Sequence, residues 1–146
     1  GNMVFYSSNE DGNFEIYALE IAIGVPRQLT TNIGNLYSPA ISPNSNRIAF
    51  VNESDNQQNI WVMRLDGSNP RAITDSGKDL SPSWSPSGEK IAFISIRDDT
   101  KRIYIMSSNG SNKKPVSISN TPKIGNHVDW GHPGTRRPYR LHQNHQ

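Results

Sequence analysis

Three polar stretches of the sequence carry acidic side chains that could bind a cation. The carboxylates are Glu10 and Asp11, then Asp55, then Asp98 and Asp99. Calcium takes clustered carboxylate and carbonyl oxygens, so these stretches are conceivable calcium sites if they form long loops between strands. Each stretch supplies only one or two carboxylates, however, and aspartate is common at hairpin tips because its side chain bonds the local backbone. We therefore expect no metal ion and no cofactor.

Histidine and serine are the other side chains that could support catalysis. The histidines are His127, His132, His142 and His145, and no accompanying set of acids and histidines is recognisable in the sequence. The chain contains no Gly-x-Ser-x-Gly segment, the sequence of a serine nucleophile elbow. Its serines lie in Ser-Pro and Gly-Ser segments, where the hydroxyl bonds the local backbone. These features predict that the protein is not an enzyme.

The composition argues against further classes of function. The 146 residues include 15 basic and 13 acidic side chains, a net charge of +2 that indicates neither a nucleic acid nor an anionic membrane as a partner. No apolar run approaches the length of a transmembrane helix, so we expect no membrane insertion. With no cysteine, neither a disulfide framework nor a thiolate metal site is possible. An apolar content of 33% is typical of short strands joined by many turns.

The elements that must position any site are repeated along the chain. Residues 38–50 read SPAISPNSNRIAF and residues 81–93 read SPSWSPSGEKIAF, with seven of thirteen positions identical. The segment Ile60-Trp61-Val62 recurs in the same way as Ile103-Tyr104-Ile105, and Met3-Val4-Phe5 is a looser first copy of Ile48-Ala49-Phe50. We expect residues 1–134 to contain three units, approximately 3–43, 44–86 and 87–133, followed by a polar basic tail at 135–146.

Each unit contains four short apolar runs separated by turn residues. The runs are rich in Ile, Val, Trp, Tyr and Phe, which favour strands. Asp66-Gly67, repeated as Asn109-Gly110, favours a tight hairpin turn with positive φ at both central positions. Four-stranded antiparallel sheets at intervals of 40 to 45 residues are typical of a β-propeller. We therefore predict an all-β fold of three four-stranded blades, with Trp61, Trp84, Trp130, Phe50 and Phe93 in the core between blades.

The repeated segments also resemble a known family. Pro82 to Phe93, followed by Ile103 to Asn112, is similar to the TolB-like, WD40-like β-propeller repeat. The first unit departs from that pattern, because Ile41 replaces the tryptophan and Asn44-Ser45-Asn46 replaces the turn glycine. The resemblance implies a non-enzymatic scaffold that presents loops to a protein partner in the bacterial cell envelope, in the periplasm or another compartment outside the cytoplasm.

The number of units suggests how such a ring would close. Propellers of the TolB type usually have six blades, whereas this chain has three. The chain opens at a second-strand motif and its last motif, at 127–131, is that of a first strand. We therefore expect two copies to form a six-bladed homodimer, with a fragment of a longer chain as the alternative. Similar repeats also form the propeller of prolyl-oligopeptidase-like peptidases, and a propeller-fold lyase, which predicts a bound metal, is a further alternative.

Binding positions are expected where the repeats differ, on loops at the rim of the central channel. The segments leading into the innermost strand are residues 33–38, 78–81 and 124–127, and they are candidates for a binding surface or for solvated turns. The candidate residues in them are Tyr37, Ser38, Lys78, Asp79, Leu80, Ser81, Asn126 and His127.

Overall fold

A computed structural model of the protein describes residues 2–10, 12–117 and 123–131. It confirms the all-β prediction. The strands are β1 Met3–Ser8, β2 Glu15–Glu20, β3 Pro26–Gln28, β4 Asn35–Ile41, β5 Arg47–Ser54, β6 Gln57–Arg64, β7 Arg71–Ala72, β8 Asp79–Trp84, β9 Lys90–Arg97, β10 Thr100–Ser107 and β11 Lys114–Pro115. Within the described residues, no helix is long and apolar enough to cross a membrane. The predicted tail, 135–146, and the histidines at 132, 142 and 145 lie outside the described residues.

The strands form three antiparallel meanders. The second sheet has the order β4-β5-β6-β7 and the third has the order β8-β9-β10-β11. These two sheets confirm the prediction of four-stranded blades. The first sheet contains only β1-β2-β3 and lacks an innermost strand, as expected where the chain opens at a second-strand motif. The sequence unit is offset from the sheet by one strand, because residues 3–43 hold the first sheet together with β4, the innermost strand of the second.

A repeated aromatic pair fixes which positions of the sheets are equivalent. The ring centroids of Tyr6 and Tyr17 are 5.7 Å apart, and the directly paired rings of the other sheets are Phe50 with Trp61 and Phe93 with Tyr104. Tyr6 is therefore the counterpart of Phe50 and Phe93. The predicted match of Met3-Val4-Phe5 to Ile48-Ala49-Phe50 is wrong by one residue, because cross-strand pairing, not the shared phenylalanine, sets the register.

Tight turns replace the long acidic loops expected between the second and third strands. The tips Asp55-Asn56 and Asp98-Asp99 are two-residue turns in which every φ is positive, from 50° to 60°. This geometry matches the twist of the flanking strands. The prediction of long loops is therefore wrong for these two hairpins, and the aspartates there serve the turn.

The hairpin turns near Gly67 and Gly110 differ from the predicted type. Gly67 has φ +87°, whereas Asp66 does not have positive φ, and the Asp66 carboxylate accepts a hydrogen bond from the Ser68 amide at 2.9 Å. A Cβ at Gly67 would lie 2.3 Å from the Leu29 carbonyl oxygen of the first sheet. A Cβ at Gly110 would likewise lie 2.7 Å from the Ile73 carbonyl oxygen of the second. Both positions therefore require glycine for its conformation and for close contact with the preceding sheet.

Two apolar clusters hold the sheets together. Phe50, Ile48 and Met63 pack with Ile16 of the first sheet, and Phe93 packs with Ala49 and Val62 across the next junction. Phe50 and Phe93 are fully buried, and Trp84 is 8% exposed, so the prediction of a core role is confirmed for these three. Trp61 and Trp130 are only partly buried. Trp130 lies in residues 123–131, which follow the last sheet and belong to none.

Candidate functional site

The innermost strands β4 and β8 and residues 123–131 lie next to one another and form the candidate site. The indole nitrogen of Trp84 donates to the Ala40 carbonyl at 2.9 Å, and the indole nitrogen of Trp130 donates to the Ser83 carbonyl at 3.0 Å. Each strand is thus fixed to the preceding one by the same hydrogen bond. We call the surface formed by these three segments the inner wall. The sheets position β4 and β8, whereas residues 123–131 join no described sheet and are held by hydrogen bonds to β8.

A β-bulge interrupts the regular pairing of both β4 and β8. Ser38 and Ser81 both have φ +54°, and the pairing with the next strand slips between Tyr37 and Ala40 and between Leu80 and Ser83. Ser38 is exposed, whereas Ser81 is 6% exposed. The Ser81 hydroxyl accepts a hydrogen bond from the Val128 amide at 3.1 Å and lies 3.2 Å from Nδ1 of His127. Ser38 and Ser81 thus share one backbone conformation, but Ser38 faces solvent and Ser81 contacts residues 123–131.

The expectation that all the candidate residues lie in loops is wrong for five of them. Tyr37 and Ser38 lie in β4, and Asp79, Leu80 and Ser81 lie in β8. The exposed members at the rim are Ser38, Lys78, Asn126 and His127. We call these four residues the rim set. Whether they bind a partner stays a prediction.

Asp79 supports the wall from inside. Its side chain is fully buried and accepts a hydrogen bond from the Ser95 hydroxyl at 2.7 Å, and Ser95 in turn accepts one from Arg97 Nε at 2.8 Å. The equivalent pair of the second sheet is the buried Leu36 with Asn52, so Asp79 places a carboxylate where β4 has a leucine. In this conformation Asp79 contacts no solvent and serves to position β8 against β9.

Tyr37 is half-buried rather than a projecting side chain. Its ring lies 4.9 Å from the ring of Phe14, centroid to centroid, at a tilt of 42°. Burial, and secondarily the negative charge of Glu53, raise the pKa of the Tyr37 phenol above its ordinary value. The phenol is therefore neutral over the ordinary pH range, and its ring packs against Phe14.

The carboxyl ends of β4 and β8, together with residues 129–130, line a cavity that the sequence did not predict. Its volume is about 290 Å³, and matched positions of the three segments line it, with Ala40, Ser83 and Asp129 at one level and Ile41, Trp84 and Trp130 at the next. The Ser83 hydroxyl donates to the Asp129 carboxylate at 2.6 Å. Ser83 and Asp129 are thus inner-wall residues that the analysis missed. The available signal was the change from Ala40 to Ser83 to Asp129 at one repeat position.

Metal binding gains no support from the part of the chain that the structure describes. Those residues contain no group of three or more His, Asp or Glu side chains placed to hold a metal ion. Asp11, one of the acids considered, lies outside the described residues.

Comparison with known proteins identifies the repeat. The family model of the TolB beta propeller domain matches residues 1–131. An uncharacterised protein of Agrobacterium fabrum is 37% identical over 76 residues, which are 52% of this chain and 26% of that protein. The chain thus spans about a quarter of the length of this curated relative.

Solved structures agree with this result. The putative TolB from Agrobacterium tumefaciens is 31% identical with a TM-score of 0.76, and the match covers 89% of this chain and 50% of that one. TolB from Acinetobacter baumannii matches with a TM-score of 0.67 at 20% identity, over 79% of this chain and 30% of that one. An oligogalacturonate lyase from Vibrio parahaemolyticus matches with a TM-score of 0.61 at 17% identity, over 79% of this chain and 36% of that one. At such identities the last two show the fold alone.

Proposed function

We propose, since the chain belongs to the TolB beta propeller domain family, that it is a non-enzymatic binding module. In this proposal the three sheets form half of a six-bladed ring, a second copy supplies the other half, and the rim set of the inner wall presents exposed side chains to a protein partner. The module is placed outside the cytoplasm, in the bacterial cell envelope, as the resemblance to TolB implies.

One observation carries the proposal. The first sheet lacks an innermost strand, and residues 123–131 lie against β8 as an innermost strand would but pair with no sheet among the described residues. Among the described residues the three sheets, which we call the arc, therefore end in a strand with an open edge on one side and in a segment that joins no sheet on the other. An open sheet edge and an extended segment that joins no sheet both favour association, because among the described residues neither has a strand paired along its free side. A symmetric pair of arcs satisfies both.

The geometry of the rim set supports a binding role more than a catalytic one. Lys78, Ser38, Asn126 and His127 are exposed, and each lies on or beside a strand of the inner wall. The side chain of Lys101 donates to the Asn126 side-chain oxygen, which holds that residue at the rim. Side chains fixed on a rigid support lose little entropy on binding a partner.

Charge reversal at the rim tests the binding role. Immobilised wild-type protein is exposed to bacterial envelope extract and compared with Lys78→Glu, which changes the rim set, and with Arg71→Glu. Both residues are exposed, but Arg71 lies on the outermost strand β7, so the second variant is a charge-matched control. We expect Lys78→Glu to lose a specific captured protein that the wild type and Arg71→Glu retain. Equal capture by all three proteins would contradict the proposal.

The location is tested separately. Fractionation of the source cells, followed by detection with an antibody against the chain, is expected to find the protein outside the cytoplasm. Recovery in the cytoplasmic fraction alone would contradict this part of the proposal and leave the binding role open to the capture experiment.

A further inference from the structure

We propose that residues 123–131 of each copy become the missing innermost strand of the first sheet of the other copy, in one fixed register. This inference rests on the two-chain ring of the proposed function and specifies how the ring closes. It makes the rim composite, because Asn126 and His127 of one chain then belong to a sheet of its partner.

Residues 123–131 already make the contacts of an innermost strand on one side. Trp130 donates to the Ser83 carbonyl as Trp84 donates to the Ala40 carbonyl. In the second and third sheets, the other side of the equivalent strand pairs with β5 or β9. The corresponding strand for residues 123–131 would be a second strand whose edge is open.

β1 is such a strand. It pairs with β2 along one edge, and no described strand pairs along the other. The pairing register makes Val4 the counterpart of Ile48 and Ile91. Ile48 and Ile91 are fully buried, whereas Val4 is 42% exposed. An incoming innermost strand would cover Val4 as β4 covers Ile48.

The outer part of the arc shows the same complementarity. Leu29, Ile73 and Val116 are equivalent, because the amide of each donates to the carbonyl of Ile16, Ile60 or Ile103, respectively. Gly67 lies against Leu29 and Gly110 against Ile73. Two halves of this contact remain unused: Gly24, one residue beyond the counterpart of Gly67, has no atom within 4 Å of its Cβ position, and Val116 is 38% exposed where Ile73 is 8% exposed.

The uncovered surfaces at Gly24 and Val116 lie at opposite ends of the arc, so that in a ring of two copies each would cover the other. Ile21, Ile23 and Val25 around Gly24 are 59% to 68% exposed, and they would meet the face that carries Val116. Apolar surface of this kind favours association by its removal from water. The same surface appears twice in a symmetric pair, so both ends of each chain are covered at once.

The repeat fixes the register. Tyr37 pairs with Val51 and Leu80 with Ile94, while Ile41 pairs with Ile48 and Trp84 with Ile91. Asn126 is the next counterpart of Leu80, and Trp130 is the next counterpart of Trp84. The counterparts in β1 are Ser7 and Val4. We therefore expect Asn126 of one chain to lie opposite Ser7 of the other, and Trp130 opposite Val4.

Disulfide trapping between two different single-cysteine chains tests this register. The protein contains no cysteine, so Ser7→Cys and Asn126→Cys chains each carry one thiol. Directly opposed strand residues have Cα atoms about 4.5 to 5.5 Å apart, which suits a disulfide. The control replaces Asn126→Cys by Asp129→Cys, whose counterpart Ser83 pairs with Ala92, so its thiol is expected opposite Phe5, two residues along the strand from Ser7. Val4→Cys with Trp130→Cys is a second in-register pair, for use if the first pair alters the thermal unfolding of the chain.

We expect the in-register mixture to form the mixed covalent dimer at least about tenfold faster than the control, since the control thiols lie one strand repeat apart. Equal rates in a chain whose solution mass is that of a dimer would overturn the register and leave the two-chain ring intact. A monomeric mass with no cross-linking would overturn both the register and the ring.

Discussion

Equivalent positions of the repeat are buried at the junctions between sheets and exposed at the two ends of the arc. At the junction of the second and third sheets, Ile91 is fully buried and Gly110 lies against Ile73. At the ends, the equivalent Val4 and Val116 are 42% and 38% exposed, and Gly24 meets nothing. This difference indicates that each sheet buries its apolar faces only between neighbours, as in other repeat proteins whose units cannot bury their own faces. The ends of the arc are therefore where a partner is expected.

The largest expected effect compares two equivalent positions in the second strands. Ile91→Ala should lower the free energy of unfolding by about 2 to 5 kcal/mol, because it leaves a cavity in a closed junction. Val4→Ala should cost less than this in dilute protein, where the edge of β1 is open, and more as the concentration rises. Urea unfolding at several protein concentrations measures both. An equal and concentration-independent cost would contradict the contrast between junction and end.

Two glycines, in the turns that follow β2 and β10, allow a second comparison between an end of the arc and a junction. Gly110→Ala should destabilise the chain by about 2 to 4 kcal/mol, combining the cost of a left-handed alanine with a clash against the Ile73 carbonyl. Gly24→Ala, with φ +74° but open space around it, should cost only the conformational part, about 1 to 2 kcal/mol. Thermal unfolding of the two variants at low concentration provides the test. A cost for Gly24→Ala as large as that for Gly110→Ala would show that the turn is already packed.

A smaller effect is expected from the indole hydrogen bonds of the inner wall. Trp84→Phe removes the donor to the Ala40 carbonyl at a buried position, and should cost about 1 to 3 kcal/mol. Trp130→Phe removes the same bond at the partly exposed end segment and should cost about 0.5 to 1.5 kcal/mol. Chemical unfolding of both variants separates them. If Trp130→Phe cost as much as Trp84→Phe, residues 123–131 would be as enclosed as β8.

The smallest effect concerns an exposed turn of the second sheet. Hydrogen bonds from the Ser68 hydroxyl and then the Ser68 amide, with a further contribution from Arg64, lower the pKa of Asp66 below its ordinary value. A lowered folded-state pKa contributes stability above the unfolded-state pKa, and the contribution is lost as pH falls through the folded-state pKa. Ser68→Ala should move the pKa of Asp66 upward, as an NMR titration of the carboxyl carbon would report. An unchanged pKa would contradict this assignment.

Much of the fold could be predicted from the sequence, because the repeat fixes the periodicity of short apolar runs and turns. The missing fourth strand of the first sheet also follows from the position of the motifs. The site was less predictable. Ser38 and Ser81 precede prolines and suggest turns, yet each lies inside a strand as a bulge. Asp79 resembles a rim charge, but its carboxylate is buried against Ser95, a contact that depends on strand register and not on local sequence.

The most direct test of the account is the solution mass of the 146-residue chain, measured by sedimentation equilibrium over a wide range of protein concentration. For the two-chain ring we expect a species of about twice 16.3 kDa at the higher concentrations, with Val4→Ala and Gly24→Ala shifting the equilibrium towards the monomer. A folded species of 16.3 kDa at every concentration would contradict the two-chain ring.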